Sequence, residues 1–95
     1  MSTFIARVQL FDVFEDDPEH QDLDERMADR GFLKGKEIEG NWYNLPSGEY
    51  IFEGQRTIDA IRKLAKGAAD STGKKSKIMI AEVTDIVIDD ARPRW

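Results

Sequence analysis

Residues 3–10, TFIARVQL, alternate with a period of two: Phe4, Ala6, Val8 and Leu10 fall on one side, and Ile5, Arg7 and Gln9 on the other. Side chains of an extended chain point to opposite faces in turn, so this pattern predicts a half-buried strand. The period then changes. After Phe11-Asp12, Asp17 stands where a helix cap belongs and Pro18 at the first helical position, where its missing N–H costs little. His20, Leu23, Met27 and the stem of Arg30 recur at helical spacing, and Gly31 supplies the left-handed residue that ends many helices. Asp16 and Glu19 suit the positive end of the helix dipole without any ligand.

From Lys36 to Phe52 the chain turns to strand chemistry, with Ile38, Trp42, Tyr43, Tyr50, Ile51 and Phe52 arranged around Leu45-Pro46-Ser47-Gly48. Aromatic and β-branched residues about a turn-forming tetrapeptide predict two hairpin strands. Thr57 opens a second helix, in which Ile58, Ile61, Leu64, Ala65 and Ala68 recur every three or four residues up to about Gly73. Lys77–Val83, KIMIAEV, reads as a last strand, with Ile86 to Ile88 its extension or a fifth short strand. The order predicts an α+β βαββαβ two-layer sandwich: a four-stranded antiparallel sheet with both helices on one face. Ile5, Ile51 and Met79 would fall on the uncovered face as an apolar patch, for which a homodimer is the commonest answer.

A length of 95 residues gives room for one modest core, so residues 1–95 read as one domain, with 89–95 a flexible tail unless Trp95 docks. The chain has no cysteine, which excludes disulfides and thiolate metal sites and points to the cytosol. The opening MSTFIARVQLFD is interrupted by Arg7 and Asp12 and lacks the apolar core of a signal peptide, and no apolar run approaches membrane-spanning length.

The formal net charge of -5 argues against a surface that attracts nucleic acid everywhere, but the charges are segregated. Residues 1–55 carry 13 acidic and 5 basic side chains, whereas residues 56–77 carry 7 basic and 2 acidic. Arg56, Arg62, Lys63, Lys66, Lys74, Lys75 and Lys77 therefore form a candidate nucleic-acid-binding region that would follow a phosphate backbone through counterion release. Trp42 and Tyr43 could stack bases if they lie nearby, although aromatics in a hairpin commonly pack in a core. Ser71-Thr72-Gly73-Lys74-Lys75 ends like a phosphate loop but lacks the upstream glycine and follows a helix instead of opening one, which excludes nucleotide hydrolysis of that type.

His20 is the only histidine, so a two-histidine metal site is impossible and a general base would need carboxylate help. Asp16, Asp17, Glu19, Asp22, Asp24 and Glu25 offer oxygen ligands to a hard cation, but without calcium-loop spacing; the plainer reading is a solvated helix face, with no metal and no cofactor.

The pieces FIARVQLFD, ERMADRGF, YNLPSGEYIFEG and LAKGAADSTGKKSKIMIAEV, spread over most of residues 3–83, together resemble the small GhoS-like family, named for a type V toxin-antitoxin antitoxin. The resemblance implies a ferredoxin-like fold similar to that of CRISPR adaptation nucleases, and an antitoxin that acts as an endoribonuclease on the messenger of its membrane toxin. No catalytic motif matches residue by residue. Arg26 and Arg30 are cations able to contact a phosphate, yet they sit among acids, and pairing of Asp22 with Arg26 is their plainer role. Two functions are expected from the sequence: an RNA-binding, RNA-cleaving regulator working through Arg56 to Lys77, or a non-enzymatic module. In the second, Asp22, Asp24 and Glu25 of the acidic helix would meet a basic protein partner, or the uncovered sheet face would serve as the contact.

Overall fold

The computed structural model describes residues 2–14 and 16–89, so Trp95 and all but the first residue of the expected 89–95 tail lie outside the described residues. The elements in chain order are β1 (Ser2–Leu10), α1 (Pro18–Asp29), β2 (Gly35–Ile38), β3 (Asn41–Asn44), β4 (Glu49–Gly54), α2 (Ile58–Asp70) and β5 (Ser76–Val83).

β1 lies in the middle of a sheet of order β4-β1-β5, antiparallel to both neighbours. Ala6 stands opposite Tyr50 on one side and Ile80 on the other. The hydrogen bonds alternate in direction. The Val8 N–H donates to the Gly48 carbonyl at 2.8 Å and the Phe11 N–H to the Lys75 carbonyl at 2.9 Å, so even residues of β1 bond towards β4 and odd ones towards β5. The two-residue side-chain period puts Phe4, Ala6, Val8 and Leu10 under the helices, in one buried cluster with Leu23 and Met27 of α1 and Ile61, Ala65, Ala68 and Ala69 of α2. Both helices therefore cover the same face, and the alanine row of α2 lets that helix sit close to the strands. Each large aliphatic or aromatic side chain buried there contributes about 1.5–3 kcal/mol by leaving water. Phe32 closes the end of the core edge-on to Phe52, ring centres 5.3 Å apart.

The expected four-stranded sheet is not formed, and with it the ferredoxin-like sandwich falls. β2 and β3 pair with each other as a separate two-stranded ribbon. The cause is a turn the sequence reading missed: Glu39 and Gly40 have φ of 51° and 83°, the pair of left-handed residues that a tight two-residue hairpin demands. The hairpin thus closes at Glu39-Gly40, and Leu45–Gly48 becomes a connector. Gly35 locks the ribbon, since a Cβ there would lie 2.3 Å from the Tyr43 carbonyl and 2.8 Å from the Trp42 ring. Where a fourth strand would lie, Leu33 and Ile51 form a single bridge, two N–H···O bonds of 2.8 Å each.

Two smaller expectations are also corrected. Ile86 to Ile88 form no strand; residues 85–89 border a groove of about 430 Å³ with Ile5, Leu45 and Pro46 on the sheet face away from the helices. Ile51 is fully buried on that face and Ile5 half-buried, while Met79 is 55% exposed, so the three do not make one open apolar patch.

Candidate functional site

The lysine-rich region is built by α2 and the turn that ends it. Thr57 caps the helix by accepting the Ala60 N–H on its hydroxyl at 3.1 Å, satisfying one of the orphan donors of the first turn. At the other end Ser71 and Thr72 donate their hydroxyls to the Ala68 and Ala69 carbonyls at 2.7 and 2.6 Å. Gly73, with φ of 84°, then reverses the chain into β5. The loop that carries Lys74 and Lys75 is therefore fixed by the helix end.

Cations along this path divide into two groups. Arg62 and Lys63 both reach Asp59, at 2.8 and 3.5 Å, and hydrogen bonding to Arg62 holds the Asp59 carboxyl below its ordinary range. Lys66 reaches Asp70 at 3.3 Å. Arg56, Lys74, Lys75 and Lys77 form no ion pair among the described residues. The seven are not one patch. Asp59 and Asp70 mark opposite ends of the helix, about 16 Å apart at 1.5 Å per residue, and Lys77, opposite Gln9, lies on the sheet face away from the helices.

Lys66, Lys74 and Lys75 do come together, around a shallow concavity of about 520 Å³ that Phe11 and Asp70 also border. Phe11 is held there by its bond to the Lys75 carbonyl, with 37% of its surface exposed. Sequence reasoning missed Phe11 as part of the site and proposed Trp42 and Tyr43 instead. Those two stand on the ribbon beside β4, at the sheet edge opposite β5, where Trp42 donates its indole N–H to Asn44 at 2.7 Å. The signal for Phe11 was its place one residue beyond the last buried position of β1, in register with the lysine turn.

The acidic helix presents a different picture. Asp22 binds Arg26 through both oxygens at 3.0 Å. Asp24 accepts the Tyr50 hydroxyl at 2.5 Å on one oxygen and the Lys34 ammonium at 2.8 Å on the other. Glu25 is exposed and forms no ion pair among the described residues. Tyr50 is 1% exposed, and its burial, with Asp24 adding to the effect, pushes the phenol well above its ordinary range. Asp17 occupies the cap position of α1, but its carboxylate turns back to accept the Phe14 N–H at 2.7 Å rather than capping the helix.

His20 places Nε2 2.8 Å from the Phe14 carbonyl, which requires the proton on that nitrogen and leaves Nδ1 as an acceptor in the neutral ring. It borders a groove of about 330 Å³ with Asp24, Tyr50, Arg7 and Ser47. Leu10 lines this groove and Phe11 the lysine concavity, so the two hollows flank the exit of β1. Among the described residues no group of three or more acidic or imidazole side chains converges as metal ligands, and no helix is long and apolar enough to cross a membrane. The chain matches no family model, no curated protein and no solved structure.

Proposed function

We propose that this chain is a small regulatory protein of the antitoxin type implied by its GhoS-like resemblance, acting as a homodimer that binds single-stranded RNA where β1 ends and β5 begins. The observation that carries the reading is the concavity shared by Phe11, Lys66, Lys74 and Lys75. Lysines displace condensed counterions from a phosphate chain, and an exposed ring stacks on a base of any sequence. Lys74 and Lys75 are available at once, while Lys66 exchanges Asp70 for phosphate. The formal net charge of -5 opposes long-range attraction, so binding is modest and steeply dependent on salt. The lack of cysteine supports a cytosolic setting.

Cleavage belongs to the proposal through His20, which lines the neighbouring groove and whose neutral ring keeps Nδ1 as an acceptor while Nε2 donates to the Phe14 carbonyl. The rival, a module that captures a basic protein with Asp22, Asp24 and Glu25, has less support because two of the three carboxylates are already bonded within the chain. Incubating the protein with a mixed pool of single-stranded RNA at low salt, with and without magnesium, tests the reading. Retention of RNA on a filter, with discrete cleavage products that vanish in His20→Ala while retention persists, is expected. Absence of retention at low salt overturns the RNA reading; retention with intact RNA removes the nuclease part alone.

A further inference from the structure

β5 ends the sheet on one side, and among the described residues no strand pairs with its outer edge. The hydrogen-bond phase set by Phe11 and Lys75 turns the odd residues of β5 towards β1, so Ser76, Ile78, Ile80 and Glu82 direct their backbone N–H and C=O groups outwards. Among the described residues none of these four takes a partner beyond the strand. The opposite edge, on β4, is blunted by the Leu33–Ile51 bridge and the ribbon behind it. Proteins that leave a strand edge bare protect it with a central charge, a proline or a bulge. β5 carries none of these between Lys77 and Glu82, where Ile78-Met79-Ile80-Ala81 run without a charge and Met79 is the exposed member.

We infer that the β5 edge is the homodimer interface: two copies pair β5 against β5 antiparallel across a two-fold axis at Met79, joining two three-stranded sheets into one of six. The inference rests on the homodimer reading above and names its surface. The register follows from symmetry and chemistry. A two-fold axis perpendicular to the sheet permits only pairings in which each residue faces one on its own side of the sheet, so even residues pair with even and odd with odd. Centring the axis on Met79 sets Ile78 against Ile80 and Ser76 against Glu82 as hydrogen-bonded pairs, with Lys77 against Ala81. No like charges meet. Lys74 falls diagonal to Glu82 of the second copy and Lys75 diagonal to its Asp85, within reach of long side chains. None of these four charged groups has an ion-pair partner within its own chain among the described residues. Moving the axis one residue further along would set Glu82 against Ile78 and Lys77 against Val83.

The same two lysines border the RNA concavity, so the dimer seam and the RNA site lie side by side. The chain has no cysteine, which makes a single introduced thiol an unambiguous reporter. Met79 would face its own copy as a non-hydrogen-bonded pair, with Cα atoms about 4.5 Å apart, a spacing a disulfide accepts. Light scattering of the unmodified protein comes first, with a mass near twice 10.9 kDa expected at high concentration. Under mild oxidation Met79→Cys should cross-link to a dimer and Lys77→Cys should not, whereas an equal mixture of Lys77→Cys and Ala81→Cys should. Met79→Lys, at an exposed position, should fold normally and weaken dimerisation at least tenfold. A dimer by scattering that Met79→Cys fails to cross-link, or that Lys77→Cys cross-links equally well, overturns the β5 interface and leaves the homodimer standing. A monomer at every concentration overturns both.

Discussion

Helix α1 and the turn after α2 are both densely charged, yet their charges are differently employed. On α1, Asp22 is held by Arg26, and Asp24 is held between Lys34 and the buried phenol of Tyr50. In the turn, Ser71, Thr72 and Gly73 fix the backbone with bonds of their own, and the ammonium groups of Lys74 and Lys75 form no ion pair among the described residues. Charge density therefore does not measure availability: the acidic stretch looks like a docking surface in sequence and works in part as a strut, while the sparser lysines remain open to a ligand.

The contrast can be broken first at Asp24. Asp24→Ala should cost about 3 kcal/mol, because it leaves the Tyr50 hydroxyl buried without its acceptor as well as freeing Lys34; urea unfolding measures it. A loss below about 0.5 kcal/mol would return Asp24 to the pool of free surface acids. The pH dependence tests the same strut from the other partner. The Tyr50 phenol is raised in the folded state, so its contribution is fully present below the unfolded tyrosine value near 10 and is lost as pH rises beyond it (about 10 in model peptides). Unfolding midpoints in alkaline buffers should fall accordingly, and Tyr50→Phe should flatten that fall. Next in size, Thr57→Ala should destabilise by about 1 kcal/mol through loss of the α2 cap, with RNA affinity almost unchanged. Smallest is the stability change in Lys74→Ala and Lys75→Ala, within about 0.5 kcal/mol of the parent in thermal unfolding. A larger loss would show these lysines to be structural after all.

Much of the fold was legible because it rests on periodicity. The alternation of Phe4, Ala6, Val8 and Leu10 and the helical spacing of Ile61, Ala65 and Ala68 each mark one buried face, and both faces meet in the core. The ribbon was not legible, because Glu39-Gly40 is a weaker hairpin signal than asparagine or aspartate before glycine, while Leu45-Pro46-Ser47-Gly48 looks more like a turn. One misplaced turn removed a strand from the sheet. Among the site residues, the lysines after Gly73 were visible as a change in charge. The pairing of Arg62 and Lys63 with Asp59 could be anticipated from helical spacing, but the place of Phe11 depends on β1 lying beside β5, and the Tyr50–Asp24 bond on α1 packing over β4. Tyr50 offered one clue, since a tyrosine on a buried strand position needs an acceptor for its hydroxyl.

Binding of a labelled single-stranded RNA, followed by fluorescence anisotropy over a series of salt concentrations for the parent protein and for Lys74→Glu/Lys75→Glu, bears most directly on the role of the lysine turn. Loss of affinity with rising salt at a logarithmic slope of about -2, as expected when three lysines each neutralise a phosphate, and at least tenfold weaker binding by the double variant would uphold it. Equal affinity of the two proteins, or a flat response to salt, would contradict it.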